Sequence, residues 1–295
     1  MSSDSANCLR FIDSEQRVEE KELPDYKADW FYSVELGQVF QGRYQILAKF
    51  SFGSSSTSWL ARDLDSRQAR RNVRSLHDSF EIQGPDGSHV VLVLEPAQMS
   101  LRDMKTVFRP EGFDEDMVKC AIIELLKALD FLHTQAKIVH TDIHPGNMLL
   151  GAYDNEIFME LEEAESRFPV PRKRGGPMLL SDYDEARIGH GPHGGDIMPL
   201  EYRAPETLLY VGWSYPVDIW SVGLTAWDLL RNKRLFTARK WLGLAPFREG
   251  RTLESLETKL KDKTGFLRFI RRALTWLPEE RATAKELLQD PWLAC

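Results

Sequence analysis

The order of two hydrophobic periodicities constrains this chain most: strand-type alternation fills the stretch before Pro96, and helix-type spacing fills the stretch after it. From Tyr44 to Phe50 and from Thr57 to Asp63, apolar and β-branched residues flank the turn Gly53-Ser54-Ser55-Ser56, the pattern of a β-hairpin. A second hairpin is expected from Val73 to Phe80 and from Val90 to Leu94, around Gly84-Pro85-Asp86-Gly87. Beyond Pro96, Val118, Ile122, Leu125, Leu129 and Leu132 recur at helical spacing, with Asp114 as the N-cap. Further helices fit Pro216 to Leu230 and Gly265 to Trp276, and Thr283 with Glu286 has capping-box spacing. Strands that precede helices, rather than alternating with them, imply an α+β fold with a small sheet-rich lobe and a larger helical lobe meeting near Glu95 to Ser100.

The length of 295 residues accommodates that arrangement. We expect an acidic mobile lead-in at 1–36, with Trp30, Phe31 and Tyr32 docking its end, then the small lobe at 37–95 and the helical lobe at 96–295. A charged insert at about 151–178 runs acidic and then basic, the pattern of a solvated excursion that includes a short amphipathic helix. A net charge of -7 disfavours direct nucleic-acid binding and tolerates basic partners. The longest apolar run, Val90 to Leu94, is too short for a membrane span, and no charged-then-apolar leader opens the chain. Cys8, Cys120 and Cys295 are odd in number and far apart, which implies neither a disulfide framework nor a zinc site. A monomer in an intracellular setting, cytoplasmic or nuclear, is expected, with Cys120 packed on its helix.

The chemistry concentrates in Val139-His140-Thr141-Asp142-Ile143-His144-Pro145-Gly146-Asn147-Met148-Leu149-Leu150. A buried His can brace such a loop, an Asp two residues on can accept a hydroxyl proton, and an Asn five further on can reach a magnesium ion. Tyr202-Arg203-Ala204-Pro205-Glu206, Asp218-Ile219-Trp220-Ser221-Val222-Gly223, and Arg281-Ala282-Thr283 before Pro291-Trp292-Leu293 then follow in order. With this series the chain resembles eukaryotic protein kinases from about Gly42 to Leu293. Gly42-Arg43-Tyr44, Ser56 to Asp63, His140-Thr141-Asp142 and Gly194 to Pro199 resemble serine/threonine kinases of the SR-protein kinase type.

The resemblance implies a bilobal protein-kinase-like fold and ATP-dependent phosphoryl transfer to Ser or Thr of a protein, with ATP and magnesium as cofactors and a basic, Arg/Ser-rich protein as substrate. Position by position it makes Asp142 the base, with His144 in place of the catalytic-loop lysine. Asn147 and Asp182 become the magnesium ligands. Ser51, Gly53, Ser56 and Ser58 line the nucleotide from the phosphate loop and second strand, and Glu95 belongs to the adenine-contacting hinge. Glu206 and Arg281 become a buried ion pair, and Asp218 holds the catalytic loop from below. The segment from Asp182 to Glu206 has no Ser or Thr, and Thr141 stands where a phosphate-pairing Arg would be, so control by loop phosphorylation is disfavoured.

Departures from the pattern centre on the small lobe. No lysine lies between Lys49 and Lys105, and Asp65-Ser66-Arg67-Gln68 runs almost directly into Arg70-Arg71-Asn72-Val73, so one strand and one helix, with their Lys and Glu, are missing. Their loss is expected to leave unpaired backbone groups and an uncovered apolar face. The phosphate loop keeps one glycine of three, and Asp182-Tyr183-Asp184 stands for D-F-G. Transfer is therefore expected to be impaired or lost. The alternative is a catalytically dead pseudokinase acting as an interaction scaffold. A chain read incompletely across Ser66 to Arg70 is a further option, and a more distant one is a small-molecule phosphotransferase, because His-x-Asp-x-His-Pro-Gly-Asn resembles the loop of aminoglycoside and choline phosphotransferases.

Overall fold

A computed structural model of the chain describes residues 27, 31–35, 37–52, 56–64, 73–84, 87–151, 178–236, 252–257 and 260–294. The chain divides into two compact units, the smaller formed by Met1–Gln68, Leu76–Leu94 and Phe158–Val170, the larger by Ala69–Ser75, Glu95–Ile157 and Pro171–Cys295. The charged insert, Trp30 and the turn Gly53 to Ser55 lie outside the described residues.

In the smaller unit, β1 (Val39–Phe40), β2 (Tyr44–Phe52) and β3 (Thr57–Asp63) form an antiparallel sheet, and β4 (Leu76–Gly84) with β5 (Gly87–Leu94) forms a separate antiparallel hairpin. Among the described residues, no strand pairing joins the sheet to the hairpin. Side chains connect them: the Tyr44 hydroxyl donates to Asp78 Oδ2 at 2.9 Å, and its ring stacks on Phe80 with centroids 6.1 Å apart. Tyr32 meets Phe40 and His89 edge-on, which docks the end of the lead-in as its aromatic residue type suggests.

Alternation along the hairpin turns Phe80, Ile82, Val91 and Val93 inward and leaves Leu76, Val90 and Leu92 exposed at 55%, 69% and 53%. An apolar face without cover is what a missing strand and helix would leave, and each such side chain forgoes roughly 1.5–3 kcal/mol of burial. Tyr44 and Ile46 are the buried apolar side chains of this unit among the described residues. Truncating the larger of them should therefore release the unit locally. Tyr44→Ala is expected to raise amide hydrogen exchange across 44–63 and 76–84 at least tenfold, on the order of 1.4 kcal/mol of local stability, while exchange in the helical core is unchanged.

The larger unit carries the extended core. After β6 (Ala97–Ser100), Ser100 Oγ accepts from Asp103 N–H at 3.1 Å to cap α1 (Leu101–Phe108). Asp114 does the same for α2 (Glu115–Phe131), accepting from Met117 N–H at 2.9 Å. Val118, Ile122, Leu125 and Leu129 form the buried stripe of α2. The chain then passes through β7 (Ile138–Val139), β8 (Met148–Gly151), β9 (Met178–Leu180) and β10 (Arg187–Ile188). Strands β6, β8 and β9 make one antiparallel sheet, and β7 pairs with β10. Helices α3 (Pro205–Leu208), α4 (Pro216–Leu230), α5 (Leu253–Leu256), α6 (Lys263–Ala273) and α7 (Ala284–Leu288) complete it. The nearly all-round burial of α4 makes it the central helix, and Gly223 lets it approach α6, where a Cβ would meet Leu274 Cδ2 at 2.9 Å.

Several expectations need correction. The first strand of the second hairpin starts at Leu76, because Val73 instead bridges Leu180 in parallel and Arg74 N–H donates to Leu180 O at 3.0 Å. Helix α6 runs over Lys263–Ala273 rather than 265–276, since Asp262 caps it through Gly265 N–H. Cys120 is exposed, not packed: two residues from Val118, it faces away from the buried stripe. The capping box at Thr283 and Glu286 is present as expected.

Candidate active site

The loop between β7 and β8 is built on one buried carboxylate. Asp218, in the first turn of α4 and fully buried, accepts from His140 N–H and Thr141 N–H at 2.8 Å each and contacts His133 Nε2 at 2.9 Å. Thr141 has φ of 72°, a left-handed conformation that a β-branched residue rarely adopts, and its hydroxyl donates to Glu185 O at 2.8 Å. His140, also fully buried, accepts at Nδ1 from Asp142 N–H and donates from Nε2 to Ser181 O at 3.2 Å. Burial pushes the His140 imidazole below its usual pKa against the pull of Asp218 and Asp142, which keeps it the neutral brace that these contacts require.

Asp142 is gripped on one oxygen and open on the other. Oδ2 accepts from Asn147 Nδ2 at 2.8 Å and lies 3.4 Å from His144 Nε2, whereas Oδ1 is buried with no partner. Burial raises the pKa of this carboxyl, but the His144 and Asn147 contacts and nearby His140 outweigh it, leaving Asp142 below the usual carboxylate range and ionised at neutral pH. His144 Nδ1 receives both Gly146 N–H at 3.0 Å and an Arg102 guanidinium nitrogen at 3.1 Å, so its proton sits on Nε2, facing Asp142. The bend is tight, since a Cβ on Gly146 would meet His144 Cε1 at 2.8 Å and Arg102 Cζ at 2.9 Å.

The pairing of β8 with β9 brings the remaining residues of this unit together. Met148 pairs with Leu180, so Ser181 N–H donates to Asn147 O at 3.0 Å and Asp182 follows directly. Asp182 has φ of 70°. Its pKa is raised, first by burial and then by the charges of Asp184 and Asp142, so three carboxylates share one field. That field and the donor set suit a divalent cation: Asn147 spends Nδ2 on Asp142 and keeps Oδ1, and Asp182 offers a carboxylate. Magnesium held on nucleotide phosphates needs only one or two such protein ligands. Among the described residues there is no group of three or more His, Cys, Asp or Glu that could hold a metal by themselves.

Glu95, half-buried in the larger unit, accepts Ser75 N–H at its carboxylate and Arg74 Nε–H at its backbone oxygen. Ser51 and Ser58 are cross-strand partners on β2 and β3 of the smaller unit, Ser56 and Ser58 are exposed there, and Gly53 lies outside the described residues. Sequence reasoning missed Arg102 and Arg74. The first had a signal in the capping spacing of Ser100 and Asp103, which puts residue 102 in the opening turn of α1. The supporting pair is formed: Arg281 Nη1 and Nη2 donate to Glu206 Oε1 and Oε2 at 2.6 and 3.1 Å with both side chains buried.

Comparisons with known proteins agree with this arrangement. The family model for the protein kinase domain matches residues 64–293. A serine/threonine protein kinase of Aspergillus fumigatus is 34% identical over 375 aligned positions, covering 96% of this chain and 92% of the relative. That alignment is longer than the 295-residue chain, so the relative carries segments this chain lacks. The serine/threonine-protein kinase SRPK of Physarum polycephalum is 24% identical, covering 94% of this chain and 92% of the relative, and SRSF protein kinase 3 of mouse is 30% identical over 53% of this chain and 34% of its own length. Among solved structures, a crystal structure of a kinase domain superposes with a TM-score of 0.68 at 19% identity, covering 90% of this chain and 99% of that one. The chain belongs to the protein kinase family, among serine/threonine kinases whose relatives include the SR-protein kinases.

Proposed function

We propose that this protein binds Mg-ATP and transfers its γ-phosphoryl group to Ser or Thr of a basic, Arg/Ser-rich protein, at a rate reduced by the loss of the small-lobe Lys and Glu. The observation that carries the reading is the buried, unpartnered Oδ1 of an ionised Asp142 whose other oxygen is fixed by Asn147 and His144. The Asp142 carboxylate accepts the proton of the incoming hydroxyl as its oxygen bonds the γ-phosphorus and ADP leaves. Asn147 Oδ1 and the Asp182 carboxylate would hold magnesium, which would neutralise charge on the phosphates. His144 orients Asp142 through Nε2–H, and Arg102 fixes the His144 ring. Ser51, Gly53, Ser56, Ser58 and Glu95 are the nucleotide-binding candidates that the family resemblance gives. The substrate class rests on the relative named as a kinase of SRSF proteins and on the net charge of -7. We assign the small lobe to 37–95 except Ala69–Ser75 and Glu95, which belong to the larger unit, and the large lobe to 96–295, with a cytoplasmic or nuclear setting. Among the described residues, no helix is long and apolar enough to cross a membrane.

A second reading, a pseudokinase scaffold, is favoured by the uncovered face at Leu76, Val90 and Leu92 and by the separated sheet and hairpin. Phosphate transfer to an Arg/Ser-repeat peptide separates the two. Wild type is expected to give a slow signal that Asp142→Asn reduces at least a hundredfold, in line with the ~10²–10⁴ contributed by a positioned base. Equal signals from the two proteins would remove the kinase reading and leave the scaffold.

A further inference from the structure

In a chain with no lysine from residue 50 to 104, some other cation must face the nucleotide phosphates if they are to be held at all. We propose that Arg74 is that cation: its guanidinium binds the phosphates beside the metal ligands. The inference rests on the reading of Asp142, Asn147 and Asp182 as a magnesium-nucleotide site.

Arg74 belongs to the same compact unit as Asn147 and Asp182. Its backbone is pinned to β9, with Val73 bridging Leu180 and Arg74 N–H donating to Leu180 O at 3.0 Å. From there Nη1 reaches Ser181 Oγ at 3.3 Å and Nε donates to Glu95 O at 2.8 Å. Ser181 immediately precedes Asp182, and its own N–H is bonded to Asn147 O. The guanidinium therefore lies one residue from one metal-ligand candidate and is tied through the same serine to the other.

Charge balance gives the second, independent argument. Arg74 is half-buried, and among the described residues it forms no ion pair. The neighbouring Glu95 carboxylate is turned to Ser75 N–H, while Arg74 takes only the Glu95 backbone oxygen. Burial pushes the Arg74 pKa down, with the nearby Glu95 charge opposing it, so the group is a partly desolvated cation with a carboxylate near it but no direct ion pair among the described residues. Among the described residues Nη2 makes no hydrogen bond, which leaves its two N–H donors for a ligand. A phosphate oxygen supplies a direct anionic partner, and the arginine fork matches phosphate better than the point charge of a lysine does. The same contacts would also fit a plain strut between β9 and Glu95, and affinity for phosphate separates the two roles.

The test is calorimetric titration of the full chain with Mg-ATP and with adenosine, for wild type, Arg74→Ala, Arg74→Lys and Asp182→Asn. Arg74→Ala should weaken Mg-ATP about tenfold to a hundredfold, as expected for loss of a hydrogen bond to a charged group, and change adenosine less than twofold. Arg74→Lys should recover part of the loss. Equal weakening of Mg-ATP and adenosine, or no weakening of either, overturns the role of Arg74. Mg-ATP binding that depends on Asp182 and ignores Arg74 overturns this inference alone, and wild type that binds no Mg-ATP overturns the nucleotide-site reading with it.

Discussion

Arg281→Ala should lower the stability of the larger unit by about 3–5 kcal/mol, the usual cost of stranding one partner of a buried pair. The arginine is fully buried and spends its donors on Glu206, Pro216 O at 2.7 Å, Thr275 O at 3.0 Å and Trp276 O at 3.4 Å, with its Cζ 5.2 Å from the Trp220 ring centroid. Alanine leaves the buried Glu206 carboxylate without its cation and takes one donor from each of three carbonyls. A fall of roughly 10 °C in the unfolding temperature follows for a unit of this size. Arg281→Lys cannot reproduce the two-pronged contact and should lie in between. Replacing both members with methionine should cost less than the sum of the single losses, since the double change leaves no stranded charge. Strict additivity in that cycle would show that the two residues are not coupled.

Asp218→Asn should damage stability and chemistry together. The variant keeps the shape but replaces one acceptor oxygen with an NH₂ group that faces a backbone donor, either His140 N–H or Thr141 N–H. A buried N–H left without an acceptor costs about 1–3 kcal/mol. The φ of 72° at Thr141 adds to the loss, because that conformation is held open by these same bonds. Once the loop relaxes, Asp142 and His140 no longer share their contact, so transfer should fall at least a hundredfold, as expected when reacting groups are misplaced by about 1 Å. Unfolding in denaturant and transfer at low temperature, where the variant is still folded, measure the two effects separately. Asn at 218 with unchanged transfer would show that the loop holds itself.

What the sequence made legible has short range or fixed order. The loop from His140 to Asn147 is one continuous string, so its internal bonds follow from spacing, and the caps at Asp114 and Thr283 need only three residues each. Asp218 and the Glu206 with Arg281 pair are far apart in the chain but ride on motifs whose order could be read. The misses have a different cause. Arg74 reaches Ser181 across 107 positions through a parallel bridge at Val73 that no local pattern announces. The contact of Arg102 with His144 spans 42 positions and joins a helix start to a loop. The exposure of Cys120 was present in the sequence, because the stripe of Val118, Ile122 and Leu125 leaves position 120 on the far side of α2.

In the proposed reading, the small unit limits turnover even with Asp142 as the base. Its sheet and hairpin share no strand pairing among the described residues, and one apolar face of the hairpin is open. The candidate residues Asp142, Asn147 and Asp182 are nevertheless brought together around one buried carboxylate on α4 and one strand pair, β8 with β9. We therefore propose that Asn147 and Asp182 hold magnesium and nucleotide even though the small-lobe lysine is gone.

The unfolding temperature of the full chain in millimolar ATP, with magnesium and then with EDTA, tests that claim most directly, because a ligand bound only by the folded form must raise it. The account predicts a rise with Mg-ATP that disappears in EDTA and in Asp182→Asn. No rise at millimolar Mg-ATP, or an equal rise in EDTA, would contradict it.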